Sequence, residues 1–483
     1  MIFNSYIFIC FFTSFFVLYW FVFNKNLKLQ NLLLLAASYF FYAYADCRFL
    51  ALLIAVSGLN FYLGLSIENA KTEKQKKLFL YIGIIQGIGG LAFFKYYNFF
   101  IESVRGLFSK FNISNNLETL NIIVPLGISF FTFRTVSYLL DIEKGKIQAT
   151  KNWVIFYNYV SFFPSLLSGP IDKAILLVPQ LETVRTFNYE NAVIGMRQIF
   201  WGFFKKLVIA NNCAVITNMV FKDFETLSAS TLFLGICLFT FQIYADFSGY
   251  SDMAIGFSRL IGFNITKNFN YPFFAQNIAE YWRKWHISLT SWVTEYIFTP
   301  LSISFRDYDK WGTMLAITIN ITLVGIWHGA NWTYVLFGLL HALYFAPLIL
   351  GGKNFNKTKK IDAQKTFPSF LEFFNMSKTF VLVALSLILF KSTNLSSAFH
   401  FFMRLIDKSI IKFPEIEIPK LGICLFFISI MMVSEWNNRN EDFGFTLSKT
   451  KNIYVRWSLY FGVFLAIMFF GIFTENNFIY FQF

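Results

Sequence analysis

Charged residues are scarce in this sequence. Only 14% of the 483 residues are Asp, Glu, Lys or Arg, whereas 56% are hydrophobic, and the mean hydropathy is +0.53. A soluble fold cannot bury that much apolar surface, so the composition excludes a soluble globular protein. Many apolar runs approach the roughly 20 residues that a membrane-crossing helix needs, and they lack the short alternating pattern of an outer-membrane barrel. We therefore predict an all-α, polytopic integral membrane protein.

Cysteine is also scarce, and several catalytic motifs are missing. The five cysteines are scattered, odd in number and mostly inside apolar runs. This predicts buried free thiols rather than a disulfide framework, and no metal site. The sequence contains no G-x-x-x-x-G-K-[ST], no H-E-x-x-H and no G-x-S-x-G. Their absence argues against ATP-driven transport, zinc-dependent proteolysis and a hydrolase-type serine.

The net charge of +14 is carried by loops between the apolar runs. Lysine and arginine in such loops orient a membrane protein and contact lipid headgroups, so we expect a lipid environment and no nucleic-acid partner. The first apolar run has no basic residue before it and no small-residue cleavage pattern after it, which favours a retained helix over a signal peptide. Basic loops place the N-terminus outside the cell. We expect eleven or twelve spans, which include 5–23, 31–45, 50–67, 78–94, 122–140, 379–390, 421–433 and 457–473.

The middle of the chain is interrupted by polar and helix-breaking residues. FFPSLLSGP (162–170), GFFKK (202–206) and DFSGYSD (246–252) break otherwise apolar runs. Charges and broken helices at membrane depth are tolerated where protein or a water-filled cavity surrounds them. We therefore interpret 1–483 as one membrane domain, with N-terminal helices (1–151), a functional core (152–352) and C-terminal helices (353–483). For Asp246 and Asp252, packing in a cavity wall and ion pairing with Arg259 are favoured over a metal or proton-relay pair.

Histidine is the rarest titratable residue, with four in the chain, and two of them directly follow a tryptophan. His328 lies in a stretch with no charged residue between Lys310 and Lys353. That stretch fits two spans joined by a tight turn, for which Gly329 and Asn331 supply the turn chemistry.

The other tryptophan-linked histidine, His286, falls in a mixed polar and apolar segment, 283–296, that predicts a short amphipathic helix. An imidazole can accept a proton from an attacking hydroxyl near neutral pH and return it to a leaving group. The alternative for each histidine is a structural role with backbone hydrogen bonds. His341 and His400 are lesser candidates by the same reasoning.

The ordered motifs resemble those of the membrane-bound O-acyltransferase (MBOAT) superfamily, in its alginate-acetylation branch. The similarity runs along nearly the whole chain, through the motifs FFKYYNFF (93–100), VPLGISFFTFRTVSYLLD (124–141), FFPSLLSGPI (162–171), GFFKKLVIA (202–210), DFSGYSDMAIG (246–256), YWRKWHISLTSW (281–292) and GIWHGANW (325–332). The resemblance implies a ring of helices around a central funnel or tunnel. It also implies that His328 is the catalytic residue and that His286 lines the same tunnel.

The resemblance implies an enzyme of the bacterial inner membrane that passes acetyl groups from cytoplasmic acetyl-CoA to a cell-envelope polysaccharide, with His328 as general base. We expect no further cofactor, and an extracytoplasmic partner acetyltransferase that completes the transfer. Trp285, Trp327, Asn331 and Arg283 are the predicted substrate-binding residues. An alternative is a transporter of a solute or lipid-linked sugar, although transporters are usually built from repeats with paired broken helices and only one interrupted region is evident. A non-catalytic scaffold leaves both tryptophan–histidine pairs unexplained.

Overall fold

The structure is a computed structural model that describes residues 1–352, 365–447 and 452–473. These residues are predominantly helical and include no β-strand. The helices in the first half are α1 (Tyr6–Val17), α2 (Leu27–Ala43), α3 (Cys47–Glu68), α4 (Glu73–Leu91), α5 (Tyr97–Lys110), α6 (Ile128–Glu143), α7 (Trp153–Ser161), α8 (Phe163–Leu166), α9 (Ala174–Glu182), α10 (Tyr189–Phe203) and α11 (Asn211–Lys222). The helices in the second half are α12 (Ala229–Leu260), α13 (Ile278–Lys284), α14 (Ile287–Val293), α15 (Thr299–Ser304), α16 (Asp309–His328), α17 (Trp332–Leu350), α18 (Phe370–Lys391), α19 (Leu395–Leu405), α20 (Ile418–Asn437) and α21 (Ile453–Phe470). The prediction of an all-α protein is confirmed.

Nine helices among the described residues are long and apolar enough to cross a membrane. Some of these helices join neighbouring elements: Glu73–Lys110 contains α4 and α5, Tyr189–Lys222 contains α10 and α11, and Arg306–His328 ends with α16. The others are α3 (Cys47–Glu68), α12 (Ala229–Leu260), α17 (Trp332–Leu350), α18 (Phe370–Lys391), α20 (Ile418–Asn437) and α21 (Ile453–Phe470). The nine helices each have at least 18 residues, and three further predicted spans form shorter helices. Tyr6–Val22 is apolar but shorter than 18 residues, α2 has 17 residues and α6 has 16. The polytopic membrane class is therefore confirmed, and the predicted count of eleven or twelve includes these shorter helices.

The chain forms two compact units, and their boundaries fall within α10, within α12 and in the segment that follows α12. One unit contains Met1–Met196 with Ala254–Thr266, and the other contains Arg197–Met253 with Lys267–Phe483. The division at 151 and 352 that the sequence suggests is a functional one and stays a prediction.

In the first unit, phenylalanine rings form much of the core. The ring of Phe257 lies 4.9 Å from that of Phe8 and 4.7 Å from that of Phe12, and Phe41 contacts Phe163 at 5.7 Å. Aromatic pairs at these separations add to the free energy gained from burying their area. Part of the phenylalanine content, 67 residues in the whole sequence, therefore serves packing within the protein.

One buried arginine of the same unit forms hydrogen bonds to the end of α7 and to the interrupted segment at 162–170. Arg134, with no exposed surface, donates from its guanidinium to the carbonyls of Tyr159 and Val160 at 3.3 and 3.1 Å and to Ser165 Oγ at 2.5 Å. These bonds replace some of those that a continuous helix would have made. The predicted condition for a broken helix, enclosure by protein, is thus met here.

In the second unit, α10 continues into a seven-residue π-helix, Phe204–Ala210, that packs closely on α12. A Cβ atom added to Gly202 would lie 2.6 Å from the Gly249 carbonyl oxygen, and one added to Gly249 would lie 2.8 Å from the Gly202 carbonyl oxygen. Only glycine permits this approach of the two backbones. The π-helix then places the next charged residues, Lys205 and Lys206, against α12.

Candidate active site

His328 is the last residue of α16, where a tight turn leads to α17. The turn is confirmed: α16 has 20 residues, α17 has 19, and Gly329 adopts an extended backbone between them. The two helices pack so closely that a Cβ atom added to Gly338 would lie 2.6 Å from the Cα of Thr322. The absence of charge in this stretch follows from its position, because its turn is packed within the unit.

The His328 side chain is 4% exposed and surrounded by aromatic rings. Its ring centroid lies 4.9 Å from that of Trp327, 5.0 Å from that of Phe390 and 6.3 Å from that of Phe337. The ring sits at a helix C-terminus, where the backbone dipole favours positive charge. The surroundings therefore hold the imidazole away from bulk water.

His286 lies between α13 and α14 in a left-handed backbone conformation, with φ 45° and ψ 54°. The single amphipathic helix predicted for 283–296 is therefore wrong in detail, because the left-handed residue breaks the segment into two short helices. The His286 ring is 1% exposed and stands nearly edge-on to Phe247, with 4.7 Å between the ring centroids. Burial lowers the pKa of this imidazole to about 3, so the ring is neutral near pH 7.

Trp327 contacts both histidines. Its ring is 5.6 Å from the His286 ring and 4.9 Å from the His328 ring, and the side chain is 8% exposed. Two imidazoles that are remote in the chain thus share one indole. We refer to His286, Trp327 and His328 as the histidine–tryptophan cluster.

The other three predicted site residues make different contacts. Trp285 packs among Tyr244, Phe269 and Tyr281. Asn331 caps α17 by accepting from the Thr333 backbone N–H at 3.0 Å and donates to the Thr393 carbonyl at 2.8 Å. Arg283 is exposed near the end of α13.

Those contacts give Trp285 and Asn331 packing and capping roles in the structure. Their predicted substrate contacts, like that of Arg283, stay predictions.

The two lesser histidine candidates, His341 and His400, lie in different environments. His341, on α17, is 1% exposed; it accepts from Trp282 Nε1 at 3.2 Å and bonds Ser386 Oγ at 2.9 Å through its other nitrogen. His400 lies exposed on α19, and lines an open cavity of about 590 Å³ with Arg404 and Glu225. His341 thus has the hydrogen-bonded environment of a structural histidine.

Asp246 and Asp252 form ion pairs with the two lysines of the π-helix that follows α10. Asp246 pairs with Lys206 at 2.5 Å and Asp252 pairs with Lys205 at 2.7 Å, and neither lysine was predicted as a partner from the sequence. Both lysine side chains are at most 6% exposed, so they do not anchor the chain at lipid headgroups. The available signal was the equal number of opposite charges, because two lysines and two aspartates within apolar runs must compensate one another.

Metal chemistry has no candidate ligand set in the described part of the chain. No group of three or more His, Cys, Asp or Glu side chains is placed there to hold a metal ion. What the cluster offers is proton transfer: a buried imidazole at a helix end, beside a second imidazole held neutral by its surroundings.

Fold and site together define a multi-pass, all-α membrane protein that holds two buried imidazoles on one tryptophan. Residues 149–365 match the family model described as MBOAT, membrane-bound O-acyltransferase family. The chain is 32% identical over 443 residues to the probable alginate O-acetylase AlgI of Azotobacter vinelandii, covering 91% of this chain and 85% of that protein. The chain therefore belongs to the membrane-bound O-acyltransferase family, and it is an O-acyltransferase.

Two other relatives act on different polymers. The peptidoglycan O-acetyltransferase of Helicobacter pylori is 33% identical over 406 residues, covering 77% of this chain and 73% of that protein. The teichoic acid D-alanyltransferase of Bacillus subtilis is 30% identical over 234 residues, covering 46% of this chain and 58% of that protein. Both the histidine–tryptophan cluster and the α16–α17 turn fall within the part matched by the family model.

Proposed function

We propose that this O-acyltransferase moves an acetyl group from cytoplasmic acetyl-CoA across the bacterial inner membrane, for O-acetylation of a cell-envelope polysaccharide, either an exopolysaccharide or peptidoglycan. The observation that carries the proposal is the histidine–tryptophan cluster, buried in the part of the chain that matches the family model. The similarity to an alginate O-acetylase and to a peptidoglycan O-acetyltransferase supports the acetyl group and the class of acceptor.

His328 is the proposed general base. An acceptor hydroxyl gives its proton to the imidazole as its oxygen attacks the thioester carbonyl carbon. The carbon–sulfur bond then breaks, and the thiolate of CoA takes the proton from the imidazolium, so that one ester and one thiol are formed. The helix C-terminus at His328 favours the imidazolium that exists between these two transfers.

The remaining predicted site residues have supporting roles in the proposal. His286, neutral near pH 7, positions the donor or the acceptor by hydrogen bonding, and Trp327 forms the wall shared by both imidazoles. Trp285 supports the turn next to His286, Asn331 holds the turn after His328, and exposed Arg283 binds phosphate groups of acetyl-CoA. The central funnel through which substrates would approach is part of the proposal.

Two features of the surroundings complete the proposal. The basic loops orient the chain within membrane lipid. Most described residues belong to helices of the membrane domain, so an extracytoplasmic partner acetyltransferase is proposed to deliver the acetyl group to the polymer.

The test measures base-labile acetate in envelope fractions, sorted into polysaccharide and peptidoglycan, from cells with the wild-type protein and with His328→Ala. We expect His328→Ala to abolish the protein-dependent acetate while the inserted amount of protein is unchanged. His400→Ala, an alanine substitution at an exposed histidine, is the matched control and is expected to leave acetylation unchanged. Near-normal acetylation by His328→Ala would refute the role of this residue.

A second measurement separates an acyltransferase from a transporter. Purified protein given acetyl-CoA, the partner acetyltransferase and an acceptor sugar should release free CoA in proportion to ester formed, because the thioester is consumed. A transporter of a solute or lipid-linked sugar releases none. The comparison of acetyl-CoA with other acyl donors identifies the acyl group.

A further inference from the structure

The backbone at His286 needs support from its surroundings. Its φ of 45° lies in the left-handed region, which costs a residue with a Cβ atom about 1–2 kcal/mol. A conformation of this kind persists where neighbouring groups hold it, and such sites cluster where a side chain must be presented in one orientation. The question is which residue holds the His286 turn.

Asn268 makes the hydrogen bonds that fix the chain directly after His286. Its backbone carbonyl accepts from the Ile287 N–H at 2.8 Å, and its side-chain Oδ1 accepts from Ser288 Oγ at 2.6 Å. Before His286, the Asn270 N–H donates to the Lys284 carbonyl at 3.0 Å. The segment around Asn268 therefore forms hydrogen bonds to the chain on both sides of His286. The Asn268 side chain is itself fully buried.

Asn268 also forms a hydrogen bond to α12, the helix that packs against the His286 imidazole. Asn268 Nδ2 donates to Ser251 Oγ on α12 at 3.1 Å. Phe247, whose ring stands 4.7 Å from the His286 ring, precedes Ser251 by one turn, and residues four apart lie on the same face of a helix. One face of α12 thus contacts the imidazole through Phe247 and anchors its backbone through Ser251 and Asn268.

We propose that Asn268 is a positioning residue: by linking Ser251 of α12 to Ile287 and Ser288, it holds His286 in the left-handed turn that points the imidazole at Trp327. The kinetic part of this inference rests on the proposed function, whereas the structural part stands without it. Asn268 acts through His286 and has no role in bond making or breaking.

The kinetic test uses Asn268→Ala in the purified, full-length protein. Misplacement of a site group by about 1 Å can cost about 100-fold in rate, so we expect a 10- to 100-fold fall in kcat for CoA release with KM changed less than about threefold. In a His286→Ala background, the same substitution is expected to reduce kcat no further, because its effect passes through His286. A full additional loss in that background would overturn the proposal.

A second readout needs no turnover. Diethyl pyrocarbonate modifies accessible neutral imidazoles, and mass spectrometry reports the extent at each histidine. His286, 1% exposed, should react slowly in the wild type, and Asn268→Ala should raise its rate about tenfold by loosening the turn, with little change at His341. Unchanged protection of His286 in Asn268→Ala would overturn the proposal whatever the activity.

Two more variants keep the test decisive. Ser251→Ala removes only one hydroxyl and should give the same effects in weaker form if Asn268→Ala is poorly folded. Asn158→Ala is the matched control, since Asn158 is also fully buried and donates to the Asn31 and Val154 carbonyls at 2.9 Å. It should lower thermal stability without changing the reactivity of His286; equal loss of protection in this control would show a general loosening and refute the specific role.

The two proposals fail differently. If the wild type releases no CoA from any acyl-CoA while Asn268→Ala exposes His286, the proposed function fails and the positioning role holds. If the wild type is active and His286 stays protected in Asn268→Ala, the positioning role fails alone.

Discussion

The indole N–H of Trp282 donates a 3.2 Å hydrogen bond to Nδ1 of His341. An indole nitrogen can only donate, so Nδ1 of His341 must be unprotonated. The proton of the neutral imidazole is then on Nε2, which donates to Ser386 Oγ at 2.9 Å, and the serine hydroxyl donates to the Val383 carbonyl at 2.7 Å. His341 therefore links α13, α17 and α18 in one defined tautomer.

This chain of bonds predicts that His341 contributes to stability rather than to chemistry. His341→Phe leaves the buried Trp282 N–H without its acceptor, at a cost of about 1–3 kcal/mol. We expect a lower melting temperature in detergent and CoA release per folded molecule within about threefold of wild type. Trp282→Phe added to His341→Phe removes the orphaned donor and should recover part of the stability. Loss of all turnover in well-folded His341→Phe would contradict this assignment.

The buried imidazole of His286 predicts a dependence of stability on pH. Burial lowers its pKa from 6.5 to about 3. Below pH 6.5 the imidazole is therefore protonated in the unfolded chain but stays neutral in the folded chain until the pH approaches 3. This contribution to stability is fully present above pH 6.5 and declines as pH falls toward 3. Between pH 6.5 and 5.0 the free energy of unfolding of the wild type should fall by about 2 kcal/mol more than that of His286→Asn. Melting temperatures of the two proteins at several pH values check this, and parallel curves would refute it.

The buried ion pair of Lys206 and Asp246 predicts asymmetric effects of substitution. Lys206→Met removes the cation that lies 2.5 Å from Asp246, and breaking a buried pair costs about 3–5 kcal/mol. The double change Lys206→Met with Asp246→Leu should be more stable than Lys206→Met alone, because the aspartate then no longer lacks the cation of its pair.

The control for this prediction is Lys420→Met. Lys420 pairs with Glu417 at 2.9 Å, but the two side chains are 53% and 67% exposed, so its loss should change stability by less than about 1 kcal/mol. Denaturant unfolding in mixed micelles measures all three variants. Equal losses from Lys206→Met and Lys420→Met would show that burial of the pair is energetically unimportant.

The close packing of α16 on α17 predicts a specific intolerance at Gly338. A Cβ atom there would meet the Thr322 backbone at 2.6 Å, and overpacking of this kind costs about 1–3 kcal/mol. Gly338→Ala should therefore lower the melting temperature, and it should reduce CoA release because His328 ends the displaced helix. Gly422→Ala is the control, since nothing lies within 4 Å of its added Cβ atom. The same melting temperature for both variants would contradict the close approach.

Local patterns in the sequence were sufficient to predict the class of protein and the tight turn between α16 and α17. The long apolar runs predicted an all-α membrane protein, because a helix satisfies its backbone hydrogen bonds within its own segment. The lack of charge between Lys310 and Lys353 predicted two spans and a tight turn at Gly329 and Asn331. The ordered motifs indicated the family. Each of these features depends on residues that are near one another in the chain.

Only the tertiary structure decided how the remote residues meet. It placed His286 and His328 on one indole, paired Asp246 and Asp252 with adjacent lysines, gave His341 two hydrogen-bond partners, and put His286 in a left-handed turn. Periodicity reports which face of a helix is apolar but not which other helix covers it, and the energies of buried charges and strained backbones depend on those partners. The sequence thus determined the kind of protein and its candidate residues, while the packing of α12, α13, α14 and α16 determined the candidate site.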